Sequence, residues 1–387
     1  MRTLQAELAA LKILLPQPSV GAPSPSPVAI PEPSATAPPP LSTQPAPPAP
    51  VSQGAGNKMF NPDIGVIGNF LGAAGASRGG TPSLAPIKTL TLQESEASFQ
   101  AVIDPYARAD FFLAIGEEGI EVEEGFMTFT ALPGGLLLKA GKMRANFGRL
   151  NAFHNHTLPW IDRPLVMYNL LGGETSDPDT GIKDAGLSVS RLIPAGRLFL
   201  EATGEVFRGD SGTLYQANRR ADVSSVGHFR AYGDISESSN LEVGGSISRG
   251  HNDLGSAFTT TLYGTDMTFR WRPLRRAIYH SFAGRTELIW SRREQLDGLQ
   301  QAFGFYASGD YQLGRRWFAG GRVDSAERAR QAALHDRSAS AVVTYWPSEF
   351  SQIRAQYRRS RYAEGRTANE LMFQFLFTIG AHGAHAF

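Results

Sequence analysis

The chain has 387 residues, of which 42% are apolar and 19% are charged, with a formal net charge of +1 and no cysteine. The near-neutral charge argues against nucleic acid as a partner. The lack of cysteine removes disulfides, thiolate metal sites and cysteine nucleophiles together. Every hydrophobic stretch is interrupted before the roughly 18 apolar residues of a membrane-spanning helix, so a helical membrane protein is excluded.

Residues 1–15, MRTLQAELAALKILL, predict a short amphipathic helix or coiled-coil segment. Four leucines follow a heptad-like spacing: Leu4, Leu8, Leu11 and Leu15. The pattern is too short to form a stable coiled coil alone. Glu7 and Lys12 interrupt what would be the apolar part of a signal peptide. We therefore expect an export signal to lie upstream of Met1 or to have been removed.

Residues 16–58 predict a disordered, proline-rich linker. Fourteen of the 25 prolines lie between Pro16 and Pro50. Proline at this density blocks helices and sheet ladders, so the segment is expected to be an extended spacer. An alternative role for it, together with the first 15 residues, is to attach the rest of the chain to the cell wall or to organise a trimer.

Residues 59–387 predict an all-β domain, because short segments that alternate apolar and polar residues recur between turn residues. In FTTTLYGTDMTFRW, residues 258–271, Tyr263, Met267 and Phe269 share one face, and Asp266 and Arg270 the other. Such alternation is typical of a strand with one apolar face. A soluble sandwich would alternate in the same way, so the pattern alone does not select the fold.

The connections favour a transmembrane, antiparallel, up-and-down β-barrel. Short turns are predicted at 131–135, 193–196, 236–240, 272–276, 312–316 and 346–349. Longer connections such as 148–182 and 208–225 separate them, with GEEG at 116–119 as the clearest exception. Short turns on one rim, long loops on the other and aromatics near strand ends are typical of outer-membrane barrels. We predict sixteen strands, or fourteen, since 62–72 and 136–147 alternate poorly.

Four stretches resemble a family of bacterial outer-membrane barrels: IDPYARAD, VEEGFMTFTALPGGLLLKAGK, FGRLNAFHNH and the terminal IGAHGAHAF. The family is distantly similar to phosphate-selective porins and is sometimes labelled zinc-regulated TonB-dependent outer-membrane receptor. The resemblance implies a porin-like barrel over most of residues 60–387. It carries no catalytic or ligand signature. TonB-dependent receptors resemble larger barrels filled by a plug domain, and the short segment before this barrel does not fit that pattern, so energised transport is not expected.

If the apolar faces meet lipid, the opposite faces line a lumen, since charged side chains facing lipid are costly. The predicted pore-lining residues are Arg108, Asp110, Lys142, Arg144, Arg230, Asp234, Asp266, Arg270, Arg285, Glu287, Arg322, Asp324, Arg354 and Arg358. The same faces also carry Glu96, Glu201 and Glu205, so that the two signs nearly balance. We therefore expect these charges mostly to neutralise one another and to give weak ion selectivity.

The segment 148–181 is the best candidate for a functional element, because it is too long and too apolar for an exposed loop. Folded into the barrel, it would narrow the pore. Its polar residues predicted at the constriction are Arg149, His154, His156, Asp162, Arg163 and Glu174. His154 and His156 are weak candidates for metal ligation, because a spacing of two outside a helix is not a specific signal, and we predict no metal and no cofactor.

Two short motifs resemble those of serine hydrolases. GASRG, 75–79, matches the Gly-x-Ser-x-Gly pattern, and GDSG, 209–212, resembles a serine-protease motif. Neither has the strand–turn–helix context that a nucleophile elbow requires. We therefore predict that the protein is not an enzyme.

The last strand predicts an insertion signal, in which Phe373, Phe375 and Phe377 face lipid and Phe387 is the terminal aromatic. The sequence as a whole predicts a trimeric porin of a Gram-negative outer membrane, with its N-terminus in the periplasm. It would pass small hydrophilic solutes or ions passively. Its partners would be lipid, lipopolysaccharide and the barrel assembly machinery. Alternatives are a receptor or channel for a metal ion or complex such as zinc, and a structural tether.

Overall fold

The computed structural model of the protein describes residues 62–77, 87–117 and 119–380, which form a β-barrel. Within them sixteen strands follow one another, as the sequence predicted. They are β1 (Asp63–Ser77), β2 (Leu90–Asp104), β3 (Ala107–Gly116), β4 (Gly119–Leu132), β5 (Leu136–Arg144), β6 (Lys183–Ala195), β7 (Leu198–Phe207), β8 (Ser224–Ser236), β9 (Ser239–His251), β10 (Thr259–Trp271), β11 (Phe282–Gln295), β12 (Gly298–Gln312), β13 (Trp317–Glu327), β14 (His335–Ser348), β15 (Ser351–Arg361) and β16 (Thr367–Gly380).

The barrel closes because β1 pairs antiparallel with β16, and every other strand pairs with its neighbours in sequence. In the closing pair Gly68 stands opposite Phe377. A Cβ atom at Gly68 would lie 2.5 Å from the Phe377 ring, so the glycine leaves room for the aromatic side chain. Closure leaves no unpaired sheet edge, which is the condition for a sheet to span lipid. The glycine-rich first strand therefore belongs to the barrel despite its weak alternation.

The connections form one rim of mainly short turns and one rim of mainly long connections. Asp63 and Gly380 both lie on the short-turn rim. The prediction of a tight turn at 272–276 is wrong, because β11 begins only at Phe282. Successive turns occupy this connection, with Arg276 N bonded to Pro273 O and Tyr279 N bonded to Arg276 O. On the opposite rim the exception at 116–119 is confirmed, and residues 296–297 make a second short turn.

The outer face of the barrel is apolar and the inner face is polar. On β16 the outward Phe373 and Phe375 are 46% and 44% exposed, whereas the inward Glu370 and Gln374 are buried. Apolar side chains outside and charged side chains inside match a barrel that is surrounded by lipid.

Several sequence predictions lie outside the described residues: the helix at 1–15, the linker at 16–58 and the terminal Phe387. In the described ranges, no helix is both long enough and apolar enough to cross a bilayer.

Candidate functional site

Residues 145–182, which we name the inner segment, leave the wall after β5 and pack against the inward side chains of the barrel. Most of its apolar residues form one buried cluster with inward residues of the wall, and Ile161 packs in a second one with Leu71 and Met372. Trp160 is fully buried, and its ring meets the Tyr306 ring edge-on, with centroids 5.4 Å apart. The guanidinium of Arg322 lies 4.8 Å above the Trp160 ring, within the range of a cation–π contact. The inner segment is therefore a packed part of the barrel interior.

The two ends of the inner segment are tied together where they meet the wall. Ala145 N donates to Ile182 O at 2.9 Å. The Asn151 side-chain amide donates to the carbonyls of Ala145 and Ile182, and its oxygen accepts from Ile182 N at 2.8 Å. These bonds satisfy backbone groups that would otherwise be buried without partners. The segment thus begins and ends at one point of the wall.

The first turn of the inner segment fits against Glu287 on β11. Gly148 adopts a positive φ of 58°, and a Cβ atom there would lie 2.3 Å from Glu287 Oε1. The same carboxylate oxygen accepts from the backbone N–H groups of Arg149 and Leu150. Arg149 then pairs with Glu242 on β9. Glycine is required here by both backbone conformation and space.

Asp162 binds the inner segment to two strands on the far side of the barrel. Its Oδ2 lies 2.9 Å from Arg322 Nη2 on β13 and 2.6 Å from Arg358 Nη1 on β15. Its Oδ1 accepts from Gln356 Nε2 at 2.5 Å. Burial raises the pKa of Asp162, but the two guanidinium groups outweigh burial and lower that pKa to about 2. The carboxylate is therefore ionised across the physiological range.

Two further arginines hold the backbone of the inner segment. Arg354 on β15 donates to the carbonyls of Leu158 at 2.9 Å and Trp160 at 3.2 Å. Arg163 folds back within the segment and donates to the carbonyls of Leu150 and Phe153. Guanidinium groups with several donors suit such buried carbonyl clusters.

His154 and His156 lie against buried glutamates of β2 and β4. His154 Nδ1 is 2.7 Å from Glu96 Oε2 and 3.1 Å from Glu123 Oε2. Its Nε2 is 2.9 Å from Glu124 Oε2. His156 Nδ1 is 3.5 Å from Glu96 Oε2. Burial lowers the pKa of His154, but the contacts with Glu123, Glu124 and Glu96 outweigh burial and raise the pKa well above its usual value. The pocket thus stabilises the protonated, positively charged form of His154.

Glu174, the remaining residue predicted at the constriction, lies elsewhere. It has a positive φ of 66°, and its carboxylate accepts from the backbone N–H of Arg330 in the connection after β13. It therefore fastens the inner segment at the long-connection rim, away from Asp162 and the histidines.

Most residues predicted to line a pore lie on the inner face, where they form ion pairs along the wall. The pairs include Arg108 with Asp110, Arg230 and Arg270 with Glu242, Arg285 with Asp310, Arg322 with Asp324, and Arg358 with Glu370. Asp266 and Glu287 stand opposite each other on β10 and β11, and both are buried. Asp234 is exposed beside the short-turn rim.

Lys142 and Arg144 depart from this arrangement. Lys142 stands opposite Ala185 in the pairing of β5 with β6, and Ala185 lies on the same outer face as the exposed Leu187. Lys142 therefore points outward. Its Nζ reaches Glu121 at 3.2 Å near the long-connection rim. Arg144, at the end of β5, is buried and pairs with Glu123 at 2.6 Å and with Asp179 of the inner segment.

Sequence reasoning missed the adjacent carboxylates Glu123 and Glu124. Regular alternation places neighbouring residues on opposite faces. The register of β3 and β4 shifts between Phe112 and Leu113, so one extra residue on β4 lets both glutamates approach His154. No alternation signal could have shown this, since a bulge interrupts the alternation itself.

A cavity of 470 Å³ lies between the inner segment and the wall at the long-connection rim. Its lining includes Glu94 and Glu123 from the wall, and Asp162, Arg163 and Asp179 from the inner segment. The cavity therefore borders both the histidine cluster and the Asp162 ion pairs.

The structure describes one of the two serine motifs completely and the other only in part. The motif at 75–79 extends beyond the described residues. In the motif at 209–212, the Ser211 hydroxyl donates to Lys183 O at 3.3 Å, and Asp184 accepts from the N–H groups of Gly209 and Asp210. These contacts are those of a structured turn.

The fold is shared with outer-membrane channels. The outer-membrane channel DcaP of Acinetobacter baumannii superposes with a TM-score of 0.54 over 82% of this chain and 96% of its own, at 12% identity. The anion-selective porin of Comamonas acidovorans gives 0.55 over 82% and 98%, at 9% identity. The trimer form of the Vibrio cholerae outer-membrane protein OmpT gives 0.53 over 82% and 99%, at 10% identity. At such identities the likeness shows the fold, a porin-type barrel.

An uncharacterized protein of Aquifex aeolicus (strain VF5) is 29% identical to this chain over 339 residues, which covers 76% of this chain and 70% of that protein. No family model matches the chain.

Proposed function

We propose that the protein is an outer-membrane channel through which small hydrophilic solutes or ions diffuse passively, and that residues 148–181 narrow its lumen. The observation that carries this proposal is the pairing of Asp162 with Arg322 and Arg358. These contacts hold a segment from one side of the barrel against the opposite wall, and a solute crossing the barrel has to pass beside it. The porin-type fold and the charged inner face support the same function.

The charges that a solute would meet are largely compensated by neighbours. Arg285 pairs with Asp310 at 2.5 Å, and Arg358 pairs with Glu370 at 2.7 Å. Paired charges attract a passing ion less than isolated ones, so weak ion selectivity is the expected behaviour.

The proposed setting is the outer membrane of a Gram-negative bacterium, with the short-turn rim and the N-terminus in the periplasm. The chain would assemble as a homotrimer in contact with lipid and lipopolysaccharide. The trimer form of OmpT, which shares the fold, supports this assembly. The outward Phe373, Phe375 and Phe377, with the terminal Phe387, would address the chain to the barrel assembly machinery.

Planar-bilayer recordings of the refolded full-length protein test the proposal. Stepwise conductance with similar permeability for potassium and chloride is expected. An absence of channel steps from protein that migrates as a folded barrel contradicts a channel role. Block of the steps by micromolar zinc would favour the alternative of a metal receptor or channel. Deletion of residues 1–50 with unchanged conductance but loss of the oligomer would favour a tethering role for the N-terminus.

A further inference from the structure

The pocket around His154 contains more negative than positive groups. Four buried glutamates face it: Glu94, Glu96, Glu123 and Glu124. Their cationic partners are Arg144, at 2.6 Å from Glu123, together with the imidazoles of His154 and His156. Arg144 is also shared with Asp179, which has partners of its own in Lys183 at 2.7 Å and Arg163 at 3.6 Å. Burying uncompensated carboxylates is costly, so the pocket is suited to a cation with more than one charge.

Three side-chain atoms converge inside this pocket: His154 Nδ1, Glu96 Oε2 and Glu123 Oε2. They lie within 4.8 Å of one another. All three are buried, and within the described part of the chain none makes a hydrogen bond of acceptable geometry. Zn²⁺ bonds of about 2.0–2.2 Å place neighbouring ligands of a tetrahedral site about 3.3 Å apart. The observed separations of 2.7 and 3.1 Å from His154 Nδ1 need only a small outward shift to reach that value.

The other ring nitrogen of His154 has the partner that a metal-binding histidine usually has. Its Nε2 is 2.9 Å from Glu124 Oε2. A carboxylate in this position fixes the tautomer that leaves Nδ1 free to bind a metal ion and makes that nitrogen a stronger ligand. His156 Nδ1 lies 3.5 Å from Glu96 Oε2, close enough to become a fourth ligand after a small movement.

We propose that His154, Glu96 and Glu123 bind a divalent transition-metal ion of the Zn²⁺ type, with Glu124 orienting His154 and His156 completing the site. Imidazole and carboxylate ligands together favour this class over Mg²⁺ and Ca²⁺, which prefer oxygen ligands alone. The ion would cross-link the inner segment to β2 and β4. The 470 Å³ cavity, which Glu94 and Glu123 also line, gives the ion a route from the long-connection rim. The site does not depend on what the barrel transports.

Calorimetric titration of the refolded, metal-free full-length chain with ZnCl₂ tests the site. One Zn²⁺ per chain is expected. Glu96→Gln, Glu123→Gln and His154→Ala should each weaken binding at least about 100-fold, and Glu124→Gln about 10- to 100-fold. The matched controls are His335→Ala, a histidine on β14, and Glu201→Gln, a half-buried glutamate on β7. Both should bind as the wild type does.

Cobalt spectroscopy of the wild type keeps the test independent of variant folding. Co²⁺ alone should give visible absorption bands of a four-coordinate site, and one equivalent of Zn²⁺ should abolish them. Failure of the wild type to bind Zn²⁺ stoichiometrically, or binding that survives both Glu96→Gln and His154→Ala, overturns the proposal. Heat-dependent migration on gels reports which variants are folded.

Discussion

Asp162 and Arg358, 196 positions apart in the chain, form a buried ion pair in which Oδ2 and Nη1 are 2.6 Å apart. Arg322 reaches the same oxygen from two strands away, at 2.9 Å. One loop carboxylate thus neutralises two arginines of the wall that would otherwise be buried with fewer partners. This relationship explains why the inner segment is held in place, and it can be tested directly.

Asp162→Asn should loosen the inner segment while leaving the barrel intact. The amide keeps the size of the side chain but removes the charge that both guanidinium groups face, and breaking a buried pair in this way costs about 3–5 kcal/mol. We expect larger or noisier single-channel conductance. Asp234→Asn, at an exposed inner position near the short-turn rim, is the matched control and should behave as the wild type. Identical recordings from Asp162→Asn and the wild type would show that the pair does not hold the segment.

The stability of the folded protein should depend on pH through the ionisation of Asp162. Its pKa is lowered from 3.8 to about 2, so its stabilising contribution is present above about pH 4 and is lost as the pH falls through 2. The lowered pKa corresponds to a contribution on the order of 2 kcal/mol. In detergent, the difference in stability between wild type and Asp162→Asn should stay constant from pH 5 to 8 and shrink below pH 4. A difference that disappears near neutral pH would contradict this assignment.

Gly148→Ala should destabilise the start of the inner segment. The new Cβ atom would lie 2.3 Å from Glu287 Oε1, and the backbone has a φ of 58°, where alanine is strained. We expect a loss of about 1–3 kcal/mol, seen as a lower temperature for the gel shift from folded to unfolded protein. Gly212→Ala is the control, because Gly212 has a similar φ of 55° with open space around it. Equal losses in both variants would mean that the contact with Glu287 contributes nothing.

Arginine on the outer face should be tolerated according to its depth. Phe373 lies near the middle of β16 and Ile379 near its end, and both face outward. Arginine at the midplane of the bilayer costs about 2–4 kcal/mol, falling to about 0–1 near the interface. Phe373→Arg should therefore reduce the stability of the barrel in lipid vesicles much more than Ile379→Arg. Similar effects of the two substitutions would contradict a lipid-facing outer surface.

The sequence predicted sixteen strands because most of them follow a local rule, the alternation of apolar and polar residues between turn residues. The segments 62–72 and 136–147 alternate poorly, which left fourteen strands as the alternative. It also indicated that residues 148–181 are too apolar for an exposed loop. It could not show that Asp162 meets Arg358 or that Glu123 joins Glu124 beside His154. The first contact depends on where a long connection crosses the barrel, and the second depends on a bulge in β4. Neither is encoded in local periodicity.

The most direct test of the account replaces residues 147–180 with a short Gly/Ser linker and measures single-channel conductance. Ala145 N and Ile182 O are 2.9 Å apart, so a short linker can join the two ends without distorting β5 or β6. If the inner segment narrows the lumen, the shortened protein should still fold as a barrel and should conduct several-fold more than the wild type. Conductance equal to that of the wild type, from folded barrels, would contradict the claim that this segment controls passage.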